Sequence, residues 1–174
     1  IPLEGDLAHK DSMGNESTIK TGDVQVMSAG TGIQHSEFNP NADLQTKLFQ
    51  IWLFPKYKNV TPRYQQITLD PTQSANKLQQ ILSPNPNDQG VWIHQDAWFH
   101  LGSLEKGTEL KYRLKDPKNN GVYAFVIQGS LEVAGTLLSH RDGLGITEAN
   151  EFDIKAYEDS EILLMEVPLG LPRL

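Results

Sequence analysis

The chain has 174 residues, of which 38% are hydrophobic and 21% charged, and its net charge is -7. These are ordinary globular proportions, which exclude disordered, collagen-like and coiled-coil chains. The acidic balance lacks the basic footprint of phosphate-backbone binding, so direct nucleic-acid binding is not expected. Without cysteine the chain has no disulfide framework, thiolate metal site or cysteine nucleophile. No apolar run reaches the ~18–20 residues that cross a bilayer, so no membrane role is expected.

The start, Ile1-Pro2-Leu3-Glu4, has neither the basic nor the apolar region of a signal peptide. A cytoplasmic protein is therefore expected. Residue 1 is not methionine, which points to a processed or partial chain. From there the pattern is β-like, with short apolar or alternating runs punctuated by Gly, Asn, Asp and Pro. Strands are predicted over Leu3–Lys10, Ser17–Lys20, Val24–Ala29, Ile33–Asn39, Leu48–Phe54 and Arg63–Leu69. Pro71–Leu82 alone hints at a helix, with Leu78, Ile81 and Leu82 at helical spacing. Further strands are predicted over Val91–Ala97, Trp98–Leu104, Glu109–Leu114, Val122–Gln128, Leu131–Val133, Leu144–Thr147, Glu151–Ala156 and Glu161–Val167. Many short strands without βαβ alternation predict antiparallel sandwiches or barrels.

A weak internal repeat divides the chain. Leu3-Glu4-Gly5-Asp6-Leu7 is similar to Ile127-Gln128-Gly129-Ser130-Leu131, and each opens a strand–turn–strand unit. Two similar halves predict a duplicated β-barrel. The boundaries expected are 1–82 for the first barrel, 83–90 for a polar, proline-rich linker and 91–174 for the second.

Five histidines are candidates for chemistry: His9, His35, His94, His100 and His140. His35-Ser36-Glu37 stands out, because residues i and i+2 of a strand share a face. An imidazole and a carboxylate converging inside a barrel suit Fe, Mn, Co, Ni, Cu or Zn better than Ca or Mg. Two ligands alone are too few for a mononuclear site. The bland alternative is a strand-end histidine beside a surface acid. His94 and His100 read as a solvated strand face and His140 as turn surface. Met27 and Phe38 are candidates to line the pocket, although such side chains are more often core. Glu158, Asp159 and Glu161 read as a solvated strand margin.

The stretch from Gly22 to Pro40 resembles the second cupin motif: glycine, strand, glycine-containing turn, histidine, then asparagine four residues on (His35 and Asn39). More specifically it resembles the pirin family, bicupins that include bacterial quercetin 2,3-dioxygenases. Similar words are Leu3-Glu4-Gly5, His9-Lys10-Asp11-Ser12-Met13-Gly14-Asn15, Gln50-Ile51-Trp52-Leu53, Thr61-Pro62-Arg63-Tyr64, Leu82-Ser83-Pro84, His94-Gln95-Asp96 and Asp142-Gly143-Leu144.

The resemblance implies an all-β bicupin of two antiparallel, jelly-roll-like barrels, the first truncated at its N-terminus. It implies a metal held by three histidines and one glutamate. His35 and Glu37 match the last two of these; the other two belong to a His-x-His word that would fall before Ile1. His9 matches a non-ligand histidine. Glu37 is also the implied catalytic base. The implied cofactor is one divalent transition metal, iron first, with nickel, cobalt, copper, manganese or zinc as alternatives, bound weakly or not at all by the chain as it stands. The implied partners are a small aromatic substrate and O₂. The activity implied for a full-length parent is metal-dependent, O₂-dependent cleavage of a flavonol such as quercetin, with loss of carbon monoxide, and the chain as it stands is expected to be impaired because two histidine ligands are missing. The alternative is a pirin-type interaction or regulatory module, with or without metal, that makes protein contacts without turnover. In the second repeat the position of His35 falls on Ala156, so a metal-free second barrel is expected.

Overall fold

A computed structural model describes residues 1–170. In chain order its strands are β1 (Pro2–Glu4), β2 (Leu7–Asp11), β3 (Glu16–Ile19), β4 (Asp23–Ser28), β5 (His35–Phe38), β6 (Lys47–Leu48), β7 (Arg63–Thr68), β8 (Leu78–Ser83) and β9 (Val91–Trp92). They continue as β10 (Trp98–Leu104), β11 (Glu109–Arg113), β12 (Asn120–Gln128), β13 (Leu131–Val133), β14 (Thr136–Leu138), β15 (Gly143–Ile146), β16 (Glu151–Ala156) and β17 (Ser160–Pro168). Every pairing within the strand orders given below is antiparallel. One 3₁₀ turn, Pro71–Gln73, is the only helical element among the described residues. No helix of the described residues is long and apolar enough to cross a membrane.

The chain forms two compact units. Among the described residues the first comprises Ile1–Asp70 and Pro84–Gln95, and the second comprises Pro71–Ser83 and residues 96–170. The first unit holds a three-stranded sheet ordered β3-β2-β5, the pair β4-β7 and the pair β1-β6. The second holds β15-β12-β17-β10-β8 in one sheet and β11-β16-β13-β14 in another.

Alternation builds the second unit. In β16, Phe152, Ile154 and Ala156 are buried while Glu151 and Asp153 are exposed, the period of a half-buried strand. Leu104, Val126, Leu131, Ile154, Ile162 and Leu164 belong to its continuous apolar core. The exposed face of β11 and β16 carries opposite charges directly across the ladder, Glu109 from Lys155, Lys111 from Asp153 and Arg113 from Glu151. Such pairs fix register more than they add stability.

The internal repeat has a backbone cause. Gly5 lies between β1 and β2 with φ of 69°, and Gly129 lies between β12 and β13 with φ of 82°. A Cβ on Gly5 would lie 2.5 Å from the Gln45 carbonyl oxygen, and one on Gly129 would lie 2.3 Å from Ser160 Oγ. Both positions demand glycine for conformation and for space.

Two expectations are corrected. Leu78–Ser83 is a strand, not a helix. In its pairing with β10, Phe99 faces Leu82 while His100 faces Gln80, so Ile81 is an extra residue at a β-bulge. The bulge shifts the side-chain alternation by one, and Leu78, Ile81 and Leu82 thereby imitate a helical period. The strand expected at Leu48–Phe54 is only the two-residue β6. Phe49 N donates to the Ile1 carbonyl (2.9 Å) and its own carbonyl accepts from the Ile1 amino group (3.0 Å), and beyond them Trp52 is 88% exposed and Phe54 66%.

Candidate metal centre

The candidate site lies where two sheets of the first unit face each other. Register decides which side chains meet. In the β2–β5 pair, His9 stands opposite Glu37 and Asp11 opposite His35. His9 and Asp11 are two residues apart, as are His35 and Glu37, so all four share one face of the sheet. In the β4–β7 pair, Met27 stands opposite Tyr64 and Gln25 opposite Gln66. These side chains meet the first four: Gln25 reaches His9, Met27 reaches His35, and the Tyr64 ring stacks on the His9 ring at 4.7 Å. Polar groups therefore fill a layer that an ordinary sandwich fills with apolar ones.

His9 is the fixed centre of this layer, only 1% exposed. Its Nε2 lies 3.2 Å from Asp11 Oδ2, and its Nδ1 lies 3.2 Å from the Gln25 amide nitrogen and 3.5 Å from Glu37 Oε1. Asp11 is itself held by the turn between β2 and β3. The backbone N–H groups of Met13 and Asn15 donate to its Oδ1 at 2.9 and 3.0 Å, and the Asn15 amide donates to Oδ2 at 2.8 Å. Burial works upward on its pKa, but hydrogen bonds from Asn15, His9 and Met13 outweigh it and bring the carboxyl down to about 2. An ionised carboxylate only accepts, so Asp11 offers His9 Nε2 an acceptor, while the Gln25 amide and Glu37 lie beside Nδ1.

His35 opens β5 and is exposed, with Nδ1 3.1 Å from Met27 Sδ; Glu37 is half-buried. The turn that delivers β5 depends on glycine. Gly30 has φ of 54°, and a Cβ there would lie 2.0 Å from the Val60 carbonyl oxygen. That carbonyl accepts the Thr31 N–H at 3.1 Å, and the Gly32 N–H closes the turn on the Ala29 carbonyl at 2.8 Å. Close backbone packing against the segment at Val60 thus sets where His35 begins.

The donors fit a divalent transition ion in chemistry, an imidazole beside a carboxylate on the same face. Among the described residues, no group of three or more His, Cys, Asp or Glu side chains converges closely enough to hold a metal. His35 and Glu37 are two donors of a coordination set that takes three or four protein groups.

Other sequence expectations resolve differently. Phe38 is 58% exposed, on the strand face opposite Glu37, and Met27 lies against His35; neither is core. His100 is not on a solvated face but only 5% exposed inside the second unit, while His94 lies half-buried against Trp92 in the first. His140 is on an exposed turn, and Glu158, Asp159 and Glu161 are exposed. His9, Asp11 and Gln25 were missed as members of the site. The available signal was the alternation in Leu7-Ala8-His9-Lys10-Asp11, which puts a histidine and an acid on the same face as Leu7.

Two antiparallel all-β units, one of them carrying a histidine–carboxylate pair on a polar inner face, define a bicupin. The first 53 residues match the pirin family model, and residues 80–167 match that of the quercetinase C-terminal cupin domain. The chain belongs to the pirin family. It is 37% identical over 166 residues to quercetin 2,3-dioxygenase of Escherichia coli K12, covering 95% of this chain and 70% of that one. It is also 37% identical to a putative quercetin 2,3-dioxygenase of Pasteurella multocida, again with 95% and 70% covered. Among solved structures, YhhW from Escherichia coli superposes with a TM-score of 0.88 at 37% identity, covering 96% of this chain and 69% of that one. The nickel(II) complex of the same bacterial pirin superposes with a TM-score of 0.88 at 35% identity, covering 96% and 70%.

Proposed function

We propose that this protein is a pirin-type dioxygenase that uses a divalent metal, O₂ and a small aromatic substrate of the flavonol kind. Support comes from relatives named quercetin 2,3-dioxygenase and from a nickel-bound bacterial pirin of the same fold. The observation that carries the reading to particular residues is the register of β2 against β5, which sets His35 and Glu37 together on the polar face.

In this reading His35 gives the metal a ring nitrogen and Glu37 a carboxylate oxygen. A divalent cation there supplies Lewis acidity, lowering the pKa of a bound hydroxyl. Glu37 would accept a substrate hydroxyl proton on its carboxylate. Met27 packs beside the His35 ring and fixes its plane. The stacked rings of His9 and Tyr64 lie beside the His35–Glu37 pair. Iron is the metal we favour, with nickel, cobalt, copper, manganese and zinc compatible with the same donors. The first unit carries the metal, the second serves structure, and the protein works in the cytoplasm.

The test is elemental analysis combined with aerobic loss of quercetin's visible absorbance, on the wild type and on His35→Ala and Glu37→Gln. Loss of both metal and turnover in each variant supports the assignment, and full retention in both rejects it. A second reading, an interaction module without turnover, is favoured by the exposure of Leu44, Trp52, Phe54 and Tyr57. It predicts metal binding with no loss of quercetin.

A further inference from the structure

Arg63 carries a half-buried charge that no acidic residue balances. It opens β7, where alternation turns it to the face opposite Tyr64, away from the polar layer of the candidate metal centre. Its guanidinium lies over the Trp92 ring at 3.9 Å. Nη1 donates to the Trp92 carbonyl at 2.5 Å and Nη2 to Gln65 Oε1 at 2.6 Å. Gln65 Oε1 also accepts the Trp92 backbone N–H at 3.2 Å, so guanidinium and indole are held as one unit. Both acceptors are neutral, and they engage two of the five guanidinium N–H groups; Nε–H is among those left over. Among the described residues no carboxylate pairs with Arg63, and burial lowers its pKa with nothing to raise it. Beside it the His94 ring meets Trp92 edge-on at 4.7 Å. Burial, and then the Arg63 charge, lower the pKa of His94, so this imidazole adds no second charge at pH 7. No acceptor among the described residues meets the Trp92 indole N–H.

We propose that Arg63, backed by Trp92 and flanked by His94, is a binding site for a carboxylate group, which the unused N–H groups of the guanidinium receive. Buried charges are ordinarily paired, and a planar fork of donors matches the two oxygens of a carboxylate. Charge selects the ligand further. One carboxylate balances one guanidinium, whereas a doubly charged phosphate would leave excess negative charge in a chain that already carries -7. The carboxylate is that of a small organic acid or of an acidic side chain on a partner protein; both present the same pair of oxygens. Neither His35 nor Glu37 takes part, so the inference is independent of the proposed metal chemistry.

The test is titration of the whole protein with sodium acetate, against sodium chloride at equal ionic strength, followed by nitrogen-15 NMR of the Arg63 Nε–H and Trp92 indole N–H. Both signals shift saturably with acetate and not with chloride. Arg63→Gln binds acetate about tenfold more weakly, the scale of one lost hydrogen bond to a charged group. Arg63→Lys, which keeps the charge and loses the fork, falls between the two. A titration of the wild type with inorganic phosphate decides the matter even if a variant fails to fold, since acetate binds more tightly than phosphate. A blocked glutamate-containing peptide that binds more tightly than acetate assigns the site to a partner's side chain; one that binds no better assigns it to a small acid. The absence of a saturable acetate shift overturns the proposal. So does tighter binding of phosphate than of acetate, or unchanged acetate binding by a folded Arg63→Gln variant.

Discussion

The Tyr112 hydroxyl donates to Glu166 Oε2 at 2.8 Å inside the second unit, where Glu166 is 0% exposed. The same carboxylate accepts the Lys115 and Asp116 backbone N–H groups at 2.9 Å and the Asn120 amide at 3.0 Å. A wholly buried carboxylate is tolerated because these donors replace its water. It ties the segment between β11 and β12 to β17. Burial, and then Glu166 itself, push the Tyr112 phenol far above its ordinary pKa, so it remains a donor throughout the accessible range. Removing that donor leaves buried charge under-satisfied, at a cost of roughly 1–3 kcal/mol. Tyr112→Phe is therefore expected to lower the urea midpoint with the slope unchanged, and an unchanged midpoint would remove the clamp role.

His100 gives the second unit a pH dependence of known sign. Burial, followed by the charge of Lys115, lowers its pKa from the ordinary 6.5 to about 4. The folded protein keeps the ring neutral while the unfolded chain protonates it below 6.5. Stability from this group is complete above that value and declines as pH falls through the window to about 4, by up to about 3 kcal/mol. Urea denaturation at pH 7 and pH 4.5 should show that decline in the wild type, and His100→Phe should flatten it.

Gly30 is expected to be irreplaceable. Alanine there would face both a left-handed φ of 54° and a Cβ within 2.0 Å of the Val60 carbonyl oxygen. Gly30→Ala should cost about 1–3 kcal/mol of local strain and weaken nickel(II) binding, because the same turn starts β5 at His35. Thermal unfolding and metal titration measure the two effects separately.

The charged ladder on β11 and β16 serves as a control. Lys111 reaches Glu151 at 2.9 Å and Asp153 at 3.2 Å, with all three side chains solvent-accessible. Lys111→Ala should change stability by less than about 1 kcal/mol. A larger loss in thermal unfolding would mean that the ladder acts as a cooperative network.

Much of the fold was legible in the sequence because alternation and turn glycines are local signals. Gly5 and Gly129 announced the repeat through conformations that other residues avoid. The β8 strand was hidden by its bulge at Ile81, since a bulge is defined only against its partner strand. The exposed run at Ile51-Trp52-Leu53-Phe54 was hidden for a related reason, as apolar composition does not state whether a partner strand exists. Within the site, His35 and Glu37 were visible as an i, i+2 pair. The link from Glu37 through His9 to Asp11 was not, because it follows from cross-strand register.

The polar layer between the sheets of the first unit has a consequence for how the molecule breathes. The extended apolar cluster described above lies in the second unit, whereas His9, Gln25, His35, Glu37 and Tyr64 occupy the corresponding space in the first. Transient openings are governed by local apolar burial. Amide hydrogens of β2, β4 and β5 should therefore exchange with deuterium well before those of β12 and β17. Loading with a divalent metal should slow the first group and leave the second untouched.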